Sequence, residues 1–147
     1  MSAATQDRVN FAYKDCHTSG FAMTPYTSTT IYDGTLVMNK TAHAGYAEPA
    51  THSAAGYFVG VCIRPNSTTA TASDDVVIVN KGQILFNIAS ATTADIGKIA
   101  YILDDQTVQT STTNLLYTMT CGTVVAVPSS TTVVVDIADR YTRASLS

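Results

Sequence analysis

The chain has no tryptophan, few charged residues (13% of 147 positions) and a single glutamate among its eleven acidic residues. Glutamate is common in helix interiors, whereas aspartate is favoured in turns and at caps. The polar surface must therefore be built largely from hydroxyl groups, and threonine alone supplies 24 residues. Because threonine is β-branched and favours strands, this composition predicts an all-β protein.

Basic residues are not clustered anywhere in the chain. The eight lysines and arginines are scattered, and the formal net charge is −3. A protein that neutralises a phosphate backbone needs basic side chains gathered on one surface. We therefore predict that nucleic acid is not a partner.

Long apolar runs are also missing. None approaches the roughly 20 residues of a membrane-spanning helix. The N-terminal sequence has neither the basic start nor the apolar centre of a signal peptide. We therefore predict no membrane partner and synthesis in a cytosol. The three cysteines, Cys16, Cys62 and Cys121, match no disulfide or zinc spacing, so we expect them to be reduced and buried.

Catalytic patterns are absent as well. The chain has no G-x-S-x-G turn and no glycine-rich phosphate loop. The acidic pairs Asp74-Asp75 and Asp104-Asp105 adjoin turn positions, and neighbours on a strand point to opposite faces, so both pairs are interpreted as turn residues. The histidines lack zinc-site spacing and are expected at the surface; they are His17, His43 and His52. We predict no enzyme activity, no catalytic residue, no metal and no cofactor.

What the sequence does contain is a series of short strand patterns separated by turn residues, about nine to eleven in all. Asp33-Gly34, flanked by Ile31 and Leu36, predicts a hairpin, and so does the link Asn80-Lys81-Gly82 between two apolar runs. "GYFVGVCIRP" alternates, which places Phe58, Gly60 and Cys62 on one side of a strand and Tyr57, Val59, Val61 and Ile63 on the other.

The stretch "ATTADIGKIAYILDDQTVQTS" has its own local pattern. Thr92 or Thr93 can cap a single turn through Asp95, and Gly97 can end that turn in a left-handed conformation. "KIAYIL" then predicts a strand that reverses at Asp104-Asp105. The whole pattern favours one all-β domain, a β-sandwich or a partly closed barrel, with a jelly-roll-like arrangement among the options.

The first 25 residues are less regular. Val9, Phe11 and Tyr13 alternate as in a strand, but Val9, Tyr13 and Cys16 also have helical spacing, and an arm that orders against a neighbour is a third option. We therefore divide the chain into an N-terminal arm, residues 1–25, and a β-rich domain, residues 26–147.

From about Thr30 to Ile137 the chain resembles the capsid cement, or head decoration, proteins of tailed bacteriophages. The features that carry the resemblance occur in a fixed order: "YDGTLV", "AAGYFVGV", "VVIVNKGQILFNI", "ATTADIGKIAYILDDQTV" and a final "CGTVVAV" with "TTVVVDI". The resemblance covers about three quarters of the chain. "ADIGKIAYILDDQTV" is its most specific part, and no catalytic residue carries over from it.

The resemblance implies a viral structural protein that is made in the host cytoplasm and lies on the outer surface of the virion capsid. It would bind the major capsid protein as a symmetric homo-oligomer, with a homotrimer favoured and a homodimer as the alternative, and would stabilise the capsid. We expect the arm to contact the shell or a neighbouring subunit. The expected capsid or subunit interface comprises Val9, Phe11, Tyr13, Phe21 and Tyr26.

Two other function classes stay open at this point. One is a host-surface or carbohydrate-binding β domain of a phage fibre or tail accessory, in which some of the eight tyrosines would stack on sugars. The other is a hydrolase with no recognisable motif, for which Asp104 and Asp105 would be the residues to change.

Overall fold

The computed structural model describes residues 3–5, 12–14, 21–27, 29–64, 76–79, 81–137, 142–143 and 145–146; at 12–14, 64, 142–143 and 145–146 it describes the backbone alone. Two short 3-10 turns lie at Thr41–His43 and Thr93–Asp95. The strands are β1 Ala12–Lys14, β2 Phe21–Met23, β3 Leu36–Lys40, β4 Glu48–Pro49, β5 Gly56–Arg64, β6 Val76–Val79, β7 Gly82–Asn87, β8 Ile99–Ile102, β9 Val108–Gln109, β10 Tyr117–Thr118, β11 Thr120–Ser129, β12 Thr132–Ile137, β13 Thr142–Arg143 and β14 Ser145–Leu146.

The strands form two antiparallel sheets and one short pair. Sheet A has the order β1-β7-β12-β11-β8-β9, and sheet B has the order β2-β6-β5-β3-β4, with β13 also paired to β5. Strands β10 and β14 pair separately. The prediction of an all-β, sandwich-like fold is confirmed. The strand count exceeds the predicted nine to eleven, because pieces of two or three residues leave no readable alternation in the sequence.

The main core lies between the two sheets. Sheet A contributes Ile84 and Phe86 of β7, and sheet B contributes Leu36 of β3 and Phe58 of β5, all at most 2% exposed. Burial of such side chains supplies the main stabilising term for a domain of this size.

A second, smaller apolar cluster lies on the opposite face of sheet B. Phe21 and Met23 pack against it from β2 and are only partly buried. Its buried members are Ile31, Val37, Ala47, Val59, Cys62, Val76 and Ile78. Sheet B is therefore apolar on both faces, which explains the nearly continuous apolar runs in its strands.

A β-bulge changes the predicted alternation of β5. Val37 pairs with Gly60 but Met38 pairs with Phe58, so Val59 is an extra residue on β5. A bulge of this kind reverses the face on which the following residues lie. The predicted grouping is therefore wrong: Phe58 and Val61 enter the main core, whereas Val59 and Cys62 enter the second cluster.

The hairpin predicted at Asn80-Lys81-Gly82 is wrong. Strand β6 pairs with β2 and β5 in sheet B, whereas β7 pairs with β1 and β12 in sheet A. Buried side chains of β6 pack in the second cluster, whereas those of β7 pack in the main core. The link therefore crosses from one sheet to the other.

The Asp33-Gly34 turn is present, but it does not join two strands. The N–H of Thr35 donates to the carbonyl oxygen of Tyr32 at 3.3 Å, and Gly34 has a φ of 80°. Only β3 follows the turn, because Ile31 lies outside any strand and is buried in the second cluster. The hairpin prediction is wrong, and the turn prediction is confirmed.

The local predictions for residues 92–105 are confirmed. Thr92 is the N-cap, its hydroxyl oxygen accepts a hydrogen bond from the N–H of Ala94, and the Asp95 carboxylate accepts one from the N–H of Thr92. Gly97 has a φ of 93°. Beyond β8, Oδ1 of Asp104 accepts a hydrogen bond from the N–H of Gln106 at 3.0 Å, the aspartate turn that the sequence predicts. Within the described ranges, no helix is long and apolar enough to span a membrane.

Candidate interaction surface

An open groove of about 440 Å³ lies on the outer face of sheet B, beside the second apolar cluster. The described residues of its lining come from three strands and are mostly apolar: Phe21 and Met23 of β2, Asn39 of β3, and Tyr57 and Val59 of β5. We call this feature the sheet B groove. A recess of this size and composition is typical of binding sites.

Strand β2 supplies one wall of the sheet B groove. Phe21 pairs with Ile78 and Met23 pairs with Val76. The Phe21 and Met23 side chains therefore lie beside apolar side chains of the neighbouring strand β6. Ala22, between them, is exposed. Side chains alternate between the two faces of a strand, so the Phe21 ring and the Met23 thioether lie side by side on the same face.

Asn39 is the most polar of the described lining residues. It lies opposite Tyr57 in the β3–β5 register, and its Oδ1 accepts a hydrogen bond of 3.0 Å from the N–H of Gly45. Gly45 has a φ of 93°, a conformation that favours glycine. The turn after the first 3-10 helix therefore fixes the orientation of the Asn39 amide.

A group of rings adjoins this turn. The Tyr26 ring stacks on the His43 ring at a centroid distance of 3.6 Å and an interplanar angle of 9°. Tyr46 meets Tyr26 edge to face at 5.6 Å and 77°. The backbone N–H of Tyr26 donates to the carbonyl oxygen of Ala47 at 3.0 Å, which ties Tyr26 to the loop carrying the other two rings. We call these rings the Tyr26 stack.

Glu48 lies beside the Tyr26 stack, and only 7% of its side chain is exposed. One carboxylate oxygen is 2.8 Å from Nδ1 of His43, and the other is 3.3 Å from Nζ of Lys40. Buried carboxylates require such partners. Within the part of the chain that is described, no three histidine, cysteine or acidic side chains lie close enough together to hold a metal ion.

The predicted interface residues fall in different places. Phe21 lines the sheet B groove and Tyr26 forms the stack. Tyr13 lies on β1, which pairs with β7 at the edge of sheet A. Val9 and Phe11 lie outside the described residues. The proposal that these five residues contact a capsid or a neighbouring subunit stays a prediction.

The sequence did not mark four of the described groove residues: Met23, Asn39, Tyr57 and Val59. They come from strands that are far apart in the chain, so no local pattern marks them as a group. The alternation of Phe21 and Met23 around Ala22 was the one available signal, and it marks a strand without indicating a groove.

The acidic pair at the end of β8 is a structural turn. Asp104 accepts the Gln106 N–H, as described above, and Asp105 is 2% exposed. Oδ1 of Asp105 accepts a hydrogen bond of 2.7 Å from the backbone N–H of Ala4. The sequence predicted the turn but not this long-range contact. Asp74 and Asp75 lie outside the described residues, as does His17.

Two of the three cysteines are described, and the prediction for both is confirmed. Cys62 and Cys121 are reduced thiols, and both are buried. Burial raises the pKa of the Cys121 thiol to about 12. Cys16 lies outside the described residues.

The sequence segment with the most specific resemblance also exposes apolar side chains. Ile96 is 50% exposed and Ile99 is 48% exposed, on either side of Lys98. Ala100, the neighbour of Ile99, points into the main core, so Ile99 lies on the outer face of sheet A. This patch and the sheet B groove are on opposite faces of the sandwich.

The chain matches no protein-family model, and no curated protein matches it.

Proposed function

We propose that this protein is a capsid cement protein that binds the outer surface of an assembled phage head. It acts as a symmetric oligomer, a homotrimer in preference to a homodimer, and holds neighbouring major capsid protein subunits together. The proposal starts from the resemblance carried by residues 30–137 and is supported by the all-β fold and by the surface described above.

The segment with the most specific resemblance forms a continuous structural unit. It begins at the Thr92 cap, passes through Gly97 into β8, and ends at the Asp104 turn. Asp105, at the end of the unit, accepts two long-range hydrogen bonds. Its carboxylate accepts one from the N–H of Ala4, and its backbone carbonyl oxygen accepts one of 2.8 Å from the N–H of Leu36. A motif with this many internal contacts is expected to specify a fold rather than a reaction, which agrees with a structural role.

The observation that carries the proposal is the sheet B groove. Its described lining is mostly aromatic and aliphatic, and it lies on a face of the sandwich that the main core does not use. An exposed apolar recess on a protein with few charges is typical of a surface that binds another protein by shape.

A repeating capsid lattice makes weak single contacts effective. An oligomer that engages two or three equivalent sites gains affinity by about 10²–10⁴ without any new contact. A protein that binds only the assembled lattice also stabilises that lattice by mass action. These two effects are what a cement function requires of a small domain.

The test is co-sedimentation of the purified protein with undecorated, expanded heads of the phage that encodes it. The proposal predicts saturable binding with a copy number fixed by lattice symmetry. Heads that pellet without the protein at all concentrations would contradict it.

Removing the N-terminal arm is a less direct test of the proposal than point substitution. Residues 2–24 include β1 and β2, which pair with sheet A and sheet B, and also Ala4, which binds Asp105. Their deletion would remove two strands and one groove wall. Point substitutions in the groove therefore separate binding from folding more cleanly.

A second candidate function rests on the Tyr26 stack. Tyr46 is 40% exposed. Lys40 forms an ion pair with Glu48 beside the stack, so the stack offers an aromatic surface next to polar groups. Such surfaces bind sugars by stacking and hydrogen bonding. Retention on a glycan array that is lost in Tyr46→Ala, without binding to heads, would favour this function.

A further inference from the structure

We infer that His52 is a pH-sensitive latch on the loop between β9 and β10: its neutral imidazole ring holds the backbone N–H of Leu116, and protonation of the ring releases it. We call residues 110–116 the β9–β10 loop. This property goes beyond the proposed function and does not depend on it.

One long-range hydrogen bond forms the latch. The backbone N–H of Leu116 donates to Nδ1 of His52 at 3.2 Å, between residues 64 positions apart. A backbone N–H can only donate, so Nδ1 of His52 must carry a lone pair and the proton of the neutral ring lies on Nε2. The charged ring has a hydrogen on both nitrogens and no acceptor, so it cannot make this bond in either ring orientation.

The backbone around His52 is held independently of the ring. Thr51 and Ser53, on either side, have hydroxyl oxygens 3.0 Å apart, and the Thr51 hydroxyl also accepts the N–H of Ser53 at 3.3 Å. The backbone N–H of His52 donates to the carbonyl oxygen of Leu103 at 3.4 Å. The carbonyl oxygen of His52 accepts the N–H of Tyr117 at 2.9 Å. None of these bonds requires a neutral ring, so His52 stays beside the loop in both protonation states.

The rest of the β9–β10 loop is held by groups that do not titrate. Nε2 of Gln109 donates to the carbonyl oxygens of Ser111 and Thr113, at 2.7 and 2.9 Å. Leu115 is only 6% exposed. Leu116, in contrast, is 52% exposed. Protonation of the ring therefore frees the backbone of Leu116 locally and leaves the preceding part of the loop in place.

Charged neighbours do not offset the loss. The titratable side chains on the segments that His52 contacts are Asp104 and Asp105, on the turn after β8, and Tyr117, at the start of β10. Both carboxylates accept backbone N–H groups. Among the residues that the structure describes, none forms an ion pair with His52. The charged ring thus loses the Leu116 bond without gaining a salt bridge there.

His43 has the opposite arrangement and serves as an internal comparison. Its Nδ1 lies 2.8 Å from the Glu48 carboxylate, which is also paired with Lys40. A carboxylate only accepts, so Nδ1 of His43 must carry a proton, and the contact is kept when the ring becomes charged. At high pH the two histidines should therefore be opposite tautomers, with the proton on Nε2 in His52 and on Nδ1 in His43.

The direction of the pH effect follows from the protons bound. The closed latch has no proton on Nδ1 of His52, whereas the open latch can bind one. Closing is therefore favoured as the pH rises and is lost as the pH falls. Histidine ordinarily changes its charge between about pH 5 and pH 8, so the latch should open over this range.

The experiment is nuclear magnetic resonance of the full chain. Imidazole ¹⁵N spectra at about pH 8 identify the tautomers, and amide hydrogen exchange gives the protection of Leu116, relative to an unstructured peptide, down to about pH 5. We expect this protection to fall about three- to tenfold over the series, the effect of losing one exposed hydrogen bond. The Tyr117 amide, whose acceptor is a backbone carbonyl, should change less than about twofold.

His52→Asn separates the latch from other effects of acid. Its side-chain oxygen can accept the Leu116 N–H in place of Nδ1 and does not titrate, so protection of Leu116 should be independent of pH. His43→Asn is the matched control and should keep the wild-type fall in protection.

Three results would overturn the inference. One is a wild-type Leu116 protection that is constant across the series, and another is a fall that persists in His52→Asn. The third is a neutral His52 ring with its proton on Nδ1. Far-ultraviolet circular dichroism checks that the variants fold. If His52→Asn does not fold, the tautomer and the pH series of the wild type still decide. Binding to phage heads is measured separately, so failure of the proposed function leaves this test intact.

Discussion

Ala4 and Asp105 lie 101 residues apart in the chain, and a 2.7 Å hydrogen bond joins the backbone N–H of Ala4 to Oδ1 of Asp105. The Asp105 side chain is buried, and its backbone carbonyl oxygen accepts a second hydrogen bond from the N–H of Leu36. The turn that ends β8 therefore holds both the N-terminal segment and the first residue of β3.

Loss of the Asp105 carboxylate should destabilise the fold. We expect Asp105→Ala to lower the free energy of unfolding by about 1–3 kcal/mol, because a buried hydrogen bond is broken. Asp104→Ala is the control: Asp104 is half-buried and accepts a local turn hydrogen bond, so its loss should cost less than about 1 kcal/mol. Urea unfolding measures both values. Equal losses would show that the contact with Ala4 is not stabilising.

Asp95 should make stability depend on acidic pH. The hydrogen bond from Lys98, at 2.8 Å, and that from the N–H of Thr92 hold the pKa of Asp95 below its ordinary value of 3.8. Because the folded-state pKa is lowered, this contribution is fully present above the unfolded-state value and is lost as the pH falls through the folded-state value.

We therefore expect wild type to exceed Asp95→Asn in unfolding free energy at neutral pH, with a difference that shrinks in strong acid. Urea unfolding over a pH series measures this difference. Asp136→Asn removes the same charge from an exposed position and controls for net charge. A difference between wild type and Asp95→Asn that is constant down to the most acidic pH would contradict the prediction.

Cys121 should be unreactive in the folded protein. With the thiol pKa raised to about 12 by burial, only about 10⁻⁴ of it is thiolate at pH 8, and the thiolate is the reactive form. Alkylation followed by mass spectrometry should find Cys121 unmodified in buffer and modified in denaturant. Modification at similar rates in both conditions would show that the β11 interior is accessible.

Gly122 should be intolerant of any side chain. A Cβ atom at this position would overlap the backbone carbonyl oxygen of Asp136 on the neighbouring strand β12. We expect Gly122→Ala to cost about 2 kcal/mol or more, since neither backbone can move without breaking the β11–β12 pairing. Thermal or urea unfolding measures this loss.

Gly97→Ala is the matched control for Gly122. Gly97 has a φ of 93°, but a Cβ atom there would have no neighbour within 4 Å. Its substitution should therefore cost only the strain of the left-handed conformation, about 1 kcal/mol. If Gly97→Ala proves at least as damaging as Gly122→Ala, the overlap with Asp136 is not what requires glycine.

The local caps and turns were the most predictable features of this fold. The cap at Thr92, the left-handed Gly97 and the turn at Asp104 each depend on residues two to five positions apart, so the sequence contains all the information. The all-β class followed from composition for a similar reason, since threonine and aspartate favour strands and turns throughout the chain.

Long-range features were not predictable in the same way. The bulge at Val59 reverses the faces of β5, and no side-chain pattern distinguishes a bulged from a regular alternation. The sequence of β6 and β7 is typical of two strands joined in a hairpin. Each strand instead pairs with a distant strand in a different sheet, β6 with β5 and β7 with β12. The sheet B groove combines β2, β3 and β5, so Phe21 was the one residue of its described lining that the sequence indicated.

The central claim, that this protein cements a phage capsid, is tested most directly by a cryo-electron microscopy reconstruction of phage heads saturated with the purified protein. A cement protein should add density on the outer surface of the head that bridges neighbouring capsid subunits at a fixed symmetry position, with the sheet B groove facing the shell. A reconstruction without added density on the shell, under conditions where the protein is folded and in excess, would contradict it.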